Sequence, residues 1–413
     1  MSALPAVPAH IQALDRDDPL APLRAAFCLD PGVIYLDGNS LGALPRATAP
    51  RLAEVISREW GSGLVRSWNT HDWIGAPQRI GAKIARLIGA RPNEVVAADS
   101  TSVNLFKLVA AATGLAPTRR IILTEPANFP TDLYVIQGLR DLLGSRVEPR
   151  LAPPETLASA IDEDTALVVL THVHYAAGRR WDVAEMTSRA HAKGALVLWD
   201  LSHSAGALSV DLGAAGADLA VGCGYKYLNG GPGAPAFLFV AERHQAAIGS
   251  PLCGWMGHAA PFAFDDDYRP APGVDRFLCG TPSILGLAAL EAGVEMFEGL
   301  EMATVEAKGL ALCRLFLRLA ETRCPQLRLA SPADGAERGL HLCFRHDDGY
   351  AVMQALIERG VIGDFRPPDL MRFGFAPLYV SYADVWNAVE TLAGVLTSRA
   401  FDDPRYRERA AVT

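Results

Sequence analysis

The stretch from Gly194 to Val240, GALVLWDLSHSAGALSVDLGAAGADLAVGCGYKYLNGGPGAPAFLFV, constrains the fold most, because it sets three short apolar runs between small-residue turns. ALVLWD is the kind of run that a parallel strand buried on both faces needs, and it stops at an acid, Asp200. DLAVGCGYKYL is a second run, stopping at Lys226, and NGGPG turns the chain into a third, APAFLFV. Ligands of open α/β sheets gather at the carboxyl ends of the strands, so this layout aims Asp200, His203 and Lys226 at one crevice. A strand-end acid and a strand-end lysine one βαβ turn apart point to pyridoxal phosphate. The amine would hold the aldehyde as a Schiff base, and the acid would keep the pyridine nitrogen protonated so that the ring accepts electrons. An isolated Asp–Lys pair is more often a helix cap and a solvated cation. Lys226, however, stands in a nearly charge-free stretch from Val221 to Val240, where a lone amine needs a partner or a covalent task.

The whole chain narrows the class further. A length of 413 residues suggests one large α/β domain plus a smaller one, or two to three domains. Half the residues are hydrophobic and a fifth charged, enough for a sizeable core and against global disorder. A net charge of −8 leaves no basic footprint for nucleic acid or an anionic membrane. The cysteines (Cys28, Cys223, Cys253, Cys279, Cys313, Cys324 and Cys343) are odd in number, scattered and without a CxxC, which fits reduced thiols in the cytoplasm. The opening MSALPAVPAHIQALDRDDPL lacks a basic n-region and a continuous apolar stretch, so a signal peptide is not expected. No apolar run reaches the ~18 residues of a membrane span.

Along the chain, a polar lead-in with a short helix over 21–29 precedes VIYLDGNSLGALP, a β-branched run ending in a turn at Asn39 and Ser40. ATAPRLAEVISREWGSG reads as one amphipathic helix closed by glycine, and the loop VRSWNTHDWI after it carries Trp68. Tryptophan in a loop packs on a core, a partner subunit or a flat ligand. DSTSVNLFK opens a long helix with a cluster of caps, and Thr101 and Ser102 there suit either capping or phosphate. Phe129 and Asp132 stand where RRIILTE hands over to the next helix, and Thr171 ends the strand TALVVLT. His172 and His174 are not read as a chelating pair, and zinc-ligand spacing appears nowhere. After Val240 a long Gly/Pro/Asp-rich loop carries Trp255 and ends at Thr281 ahead of an apolar helix. From about Gly299 charged helices alternate with short strands and a last helix starts at Tyr382. Arg372 lies inside one of these strands as a structural ion pair or as a clamp for a substrate carboxylate.

With YLDGNSLG, RSWN, STSVNLFK, NFPTDLY, WDLSHSAG, GYKYLNGGPG, GWMGH, LCGTP and MRFGFAPLY assembled, residues 20–400 resemble kynureninase, a class V member of the fold-type I pyridoxal-phosphate enzymes. The resemblance implies an α/β fold: a large domain with a mostly parallel sheet between helices (51–298), a smaller α+β C-terminal domain (299–413), and an N-terminal segment (1–50) serving the substrate pocket and the small domain. It implies hydrolysis of L-kynurenine to anthranilate and L-alanine in tryptophan degradation, with pyridoxal 5'-phosphate as cofactor and no metal. Lys226 would hold the cofactor and move protons, Tyr225 would donate a proton, and Asp200 would pair with the pyridinium nitrogen. Asp132 would lie near the ring and Phe129 against its face. Thr101, Ser102, Pro130, Thr131, Thr171 and His203 would complete the cofactor pocket, with Trp255 and Thr281 reaching across from the second subunit of a homodimer. Arg372 would bind the substrate carboxylate, and Asn39, Ser40 and Trp68 would line the aryl end. Relatives favouring 3-hydroxykynurenine tend to carry histidine and asparagine where Trp68 and Thr281 stand, which implies a preference for kynurenine here. The rival within the class is a cysteine desulfurase or an aminotransferase. A desulfurase needs a nucleophilic cysteine, and the loop around Cys253 offers no cation to activate one.

Overall fold

The chain's first strand, β1 (Ile34–Tyr35), is separated from the central sheet, which the next seven strands build. These are β2 (Val95–Ala97), β3 (Ile121–Thr124), β4 (Glu148–Leu151), β5 (Thr165–Thr171), β6 (Leu196–Asp200), β7 (Leu219–Gly222) and β8 (Phe237–Val240), in the order β2-β8-β7-β6-β5-β3-β4. The computed structural model describes residues 5–409. The extreme ends of the expected N-terminal and C-terminal divisions, and the start of the stretch read for a signal peptide, lie outside the described residues. Neighbours from β4 to β7 run parallel, while β8 pairs antiparallel with both β7 and β2. The continuous apolar runs follow from helices covering both faces. In β5 and β6, Val168, Leu170, Val197 and Trp199 enter one core, while Leu167, Val169 and Leu198 enter the other.

The later part of the chain adds β9 (Arg328–Leu329), β10 (His341–Arg345), β11 (Val361–Ile362), β12 (Asp364–Arg366) and β13 (Leu370–Gly374). Four of them form an antiparallel sheet in the order β12-β13-β10-β9, with the helix Gly349–Ile357 against β12 and β13, Phe316 of the helix Met302–Arg323 against Phe344 and Phe373, and the helix Tyr382–Ser398 packed on Met302–Arg323. The fifth, β11, pairs in parallel with β1, so the N-terminal segment is stitched onto this region. Other N-terminal residues do the same: Asp15 accepts from the Tyr382 amide at 2.7 Å, and Asp18 meets the nearly buried Lys308 at 2.7 Å.

Two local readings change. The helix expected over ATAPRLAEVISREWGSG is α-helical only over Thr48–Glu54 and widens to a π-helix over Val55–Gly63, ending at Leu64 with φ of 53°. Side-chain hydroxyls compete for its carbonyls, with Ser57 Oγ on the Ala53 carbonyl and Ser67 Oγ on the Glu59 carbonyl. The short helix near 21–29 is a 3₁₀ turn over Ala21–Ala26.

At the end of the sheet away from the crevice, Asp218 is fully buried and gathers His191 Nε2 and His244 Nε2 at 2.8 Å each, Arg243 Nη2 at 2.6 Å and the Val197 amide at 2.8 Å. Burial alone would raise its pKa, but the hydrogen bonds from His244, His191 and Val197 override burial and hold it down at about 2, against 3.8 for a free side chain. A depressed carboxylate stabilises the fold above the unfolded pKa, and the contribution vanishes as pH falls through the folded one. Asp218→Asn should therefore lower stability by ~2 kcal/mol at pH 7, with the gap to wild type closing toward pH ~2. Urea unfolding at pH 7 and pH 3 measures this, and an equal gap at both would assign the loss to packing.

Candidate active site

Strand register brings the first polar groups together. Thr171 and Asp200 are direct neighbours at the carboxyl ends of β5 and β6. Asp200 Oδ1 accepts from the Ser202 amide at 2.8 Å. Asp132 projects from the first turn of the helix Pro130–Leu143, but instead of capping that helix it meets Thr171 Oγ1 at 3.1 Å, and the same hydroxyl lies 2.5 Å from Asn128 Oδ1. Asp132 and Asp200 are 1% and 3% exposed. Burial pushes both pKa values up, and in Asp132 repulsion from Asp200 adds to it. Two carboxylates in one dry site call for a cation between them.

Lys226 supplies an amine facing that site. It lies in the turn after β7 rather than at the strand's end, since β7 closes at Gly222. Gly42 makes this turn part of the N-terminal segment's docking surface: its amide donates to the Tyr225 carbonyl at 2.8 Å, and a Cβ there would sit 2.2 Å from the Lys226 carbonyl oxygen. Lys226 Nζ lies 2.9 Å from His203 Nε2 and 5.9 and 5.8 Å from the ring centres of Phe129 and Tyr225. Burial and the Lys226 charge drive the His203 pKa down, so the neutral imidazole accepts from the ammonium. Lys83, Lys107, Lys193 and Lys308 each have a carboxylate partner, so among the described residues Lys226 is the lysine without one. Burial, with Cys223 and Asp200, raises the Tyr225 phenol and keeps it protonated.

These groups enclose a cavity of about 260 Å³, which Thr101, Ser102, Thr131, Tyr175 and Ser202 also line. Ser100 caps the helix Thr101–Leu115 by accepting from the Val103 amide, and Thr101 and Ser102 of its first turn line the cavity. An amine for an aldehyde, buried carboxylates for a protonated ring nitrogen and a helix N-terminus for a phosphate fit pyridoxal phosphate. Pro130 is the first residue of its helix, where the missing N–H costs nothing.

Arg372 is 2% exposed and lies on β13 opposite Asp364 of β12. Its Nε donates to Asp364 Oδ1 at 2.8 Å and its Nη1 to the Tyr175 carbonyl at 2.6 Å, so the structural ion pair exists. Ser40, assigned to the aryl end by resemblance, instead bridges this pair, with its Oγ 2.8 Å from Arg372 Nη2 and 2.8 Å from Asp364 Oδ2. A hydroxyl both donates and accepts, which suits it to an ion pair. Asn39 is fully buried beside it with both amide atoms unpartnered, and only a glycine at 374 admits it, since a Cβ there would lie 1.7 Å from Asn39 Oδ1. Asp37 lies close by, its pKa raised by burial and by Asp364.

Three predicted residues stand apart. Trp68 packs edge-on against Trp73, ring centres 5.7 Å apart, and does not line the Lys226 cavity. Thr281 lines a second cavity with Asp99 and Cys279, and Trp255 packs on Phe262. Tyr175, Ser202, Asp37, Asp364 and Arg366 are site groups that sequence reading missed. Tyr175 follows Thr171 closely, and GDFR precedes the Arg372 strand, but neither spacing is diagnostic. Among the described residues no three His, Cys, Asp or Glu side chains converge as a metal site.

Known proteins match this arrangement along nearly its whole length. The family model for the kynureninase C-terminal domain matches residues 305–392. Kynureninase of Burkholderia mallei (strain SAVP1) is 52% identical over 408 residues, covering 97% of this chain and 98% of that protein. The chain belongs to the kynureninase family. Kynureninase of Pseudomonas fluorescens is 50% identical over the same span. Members are pyridoxal-phosphate-dependent hydrolases, and this enzyme is one. Its fold is also that of an apo cysteine desulfurase from Thermococcus onnurineus NA1 (TM-score 0.74, 21% identity, 97% of this chain and 98% of that one). The same holds for a C-DES mutant with glycine covalently linked to its PLP cofactor (TM-score 0.77, 18% identity, 90% and 98%). At such identities the likeness concerns the fold alone.

Loss of the Lys226 amine should be visible without turnover. Lys226→Ala should keep its circular dichroism spectrum yet purify without the long-wavelength absorbance of lysine-bound cofactor. An unchanged band would move the attachment to another amine.

Proposed function

We propose that this enzyme hydrolyses the Cβ–Cγ bond of L-kynurenine, giving anthranilate and L-alanine. The observation that carries this reading is a carboxylate-free lysine amine facing two buried carboxylates, with a buried arginine bound to the carbonyl of cavity residue Tyr175. Family membership at 52% identity supports the substrate. Bound pyridoxal phosphate supplies an acceptor for the electron pair left when the substrate α-proton departs. Lys226 Nζ would hold the cofactor through its aldehyde and, once freed by the substrate amine, would carry that proton. Asp200, with Asp132 beside it, would hold the ring nitrogen protonated, because a fixed anion in a dry site favours the cation. Phe129 would cover the ring face, while Thr101, Ser102, Pro130 and Thr131 would hold the phosphate end at two helix starts. Thr171 and His203 orient Asp132 and Lys226 through the contacts described above. Water adds to the γ-carbonyl carbon, which leaves as the carboxyl group of anthranilate when the Cβ–Cγ bond breaks, and Tyr225, kept protonated by burial, gives its proton to Cβ. Arg372 with Ser40 would receive the α-carboxylate, and the aryl end would extend past the Lys226 cavity to Asn39 and Trp68.

The assembly we propose is a cytoplasmic homodimer in which Trp255 and Thr281 of one subunit complete the other's site. Both lie away from their own chain's Lys226 cavity, on a loop whose Trp255, Phe262 and Phe264 are 39%, 62% and 77% exposed. Lys107 pins that loop by donating to the Phe277 carbonyl at 2.6 Å. All seven thiols are free, which supports a reducing compartment. The chain divides at about residues 50 and 298, and the pairing of β1 with β11 supports joining the first segment to the small domain.

Incubation with L-kynurenine should release fluorescent anthranilate and equimolar L-alanine; absence of both from cofactor-loaded enzyme would overturn the proposal. The ring preference follows from Trp68 and Thr281. An indole wall and a short hydroxyl leave a ring hydroxyl without full replacement of its water contacts, at a cost of roughly 1–3 kcal/mol. That corresponds to about ten- to a hundredfold in kcat/KM favouring kynurenine over its 3-hydroxy form. Side-by-side kcat/KM values that come out equal would remove Trp68 from the ring.

A further inference from the structure

The guanidinium read above as a carboxylate anchor is already occupied. Of the five N–H donors a guanidinium carries, Nε and one on Nη2 go to Asp364, the second on Nη2 to Ser40 Oγ, and one on Nη1 to the Tyr175 carbonyl. Two-pronged docking of a carboxylate needs two parallel N–H groups, and a single one on Nη1 remains. An incoming carboxylate must therefore win an edge of Arg372 from Asp364. Asp364 has somewhere to go, because Arg366 Nη2 lies 2.8 Å from its Oδ2, and the Arg366 side chain is 38% exposed and free to follow it.

We propose that Asp364 is a placeholder on Arg372: substrate docks by exchanging its carboxylate for that of Asp364, which Arg366 retains. This rests on the reading of Arg372 as the substrate's carboxylate anchor. Charge matching supports the exchange. Arg366 and Arg372 carry two positive charges against the one negative charge of Asp364, and burial and Asp364 push the neighbouring Asp37 up to about 7, so it is only partly ionised at neutral pH. A surplus of positive charge is left for a ligand to match. Before docking, Asp364 spares a guanidinium that is 2% exposed from standing unpaired. The arrangement makes Asp364 and Arg366 specificity-determining. A ligand without a carboxylate cannot displace Asp364 and gains nothing from Arg372.

The test uses cofactor-loaded enzyme and two probes without an α-amine, 4-oxo-4-phenylbutanoate and its uncharged amide, with binding followed by calorimetry and by competitive inhibition. Asp364→Asn should bind the carboxylate at least fivefold more tightly than wild type, and Arg366→Gln at least fivefold more weakly, with the amide unchanged in both. In the double variant Arg366 has no carboxylate left to retain, so affinity should stay within twofold of Asp364→Asn alone. Weaker or unchanged carboxylate binding by Asp364→Asn would overturn the exchange and leave Asp364 a fixed support of Arg372. Additive effects in the double variant would overturn it in favour of long-range charge. If Asp364→Asn fails to fold, Arg366→Gln decides alone, and unchanged binding there overturns the proposal. Failure of the underlying reading looks different: Arg372→Lys would then bind the carboxylate as well as wild type does.

Discussion

Two carboxylates buried in one cavity set the terms for the rest of this structure. Asp132 and Asp200 each lose hydration, and each makes the other's charge harder to hold. The chain answers with hydrogen bonds from Thr171 and the Ser202 amide, and with Lys226 as the nearby cation. Those contacts hold the acids in place without neutralising both. The remaining deficit is a demand for positive charge inside the cavity, which a protonated pyridine ring meets. His203 must be neutral for the same reason: a second cation against Lys226 would compete with the ring for the two acids.

Geometry reaches this cavity from three parts of the chain. Parallel register sets Thr171 beside Asp200, and the turn after β7 carries Tyr225 and Lys226. The N-terminal segment closes over that turn at Gly42 and continues to Asn39 and Ser40, where Gly374 of β13 makes room. Both approaches exclude a Cβ: at Gly42 the backbone of the lysine turn comes close, and at Gly374 the Asn39 side chain does. A small shift of the lysine turn, the N-terminal segment or the arginine strand moves the other two.

Some of this was legible in the sequence because it follows local rules. Apolar runs ending in Asp200 and Thr171 announce strand ends, and the run after Ser100 announces a helix start. The lysine's isolation was legible as a lack of neighbouring charge. What failed was long-range. Nothing near Arg372 in the chain says that its partner stands eight residues earlier on the adjoining strand, or that Ser40, more than 300 residues away, bridges the two. The π-helix over Val55–Gly63 was missed because its apolar spacing matches an α-helix and the cause lies in hydroxyl groups binding carbonyls. GCGYKYL stays apolar after pairing stops at Gly222, so Lys226 mimics a strand end while its surroundings come from the turn and not from the sheet.

The charged groups of this site share a property that bears on how such a site survives without its ligands. Lys226 rests on a neutral imidazole, and Arg372 on Asp364 and Ser40. A lone buried charge is far more costly than a weakly paired one, so modest internal partners suffice to keep the fold intact. A partner too strong would hold its charge against every ligand. An imidazole is a weak partner for an amine that must form a covalent bond. A carboxylate is a strong partner for a guanidinium, and that strength is tempered here by Arg366, which shares the same oxygen. The asymmetry fits the two tasks: the amine has to leave its partner entirely, whereas the guanidinium only has to trade one carboxylate for another of equal charge.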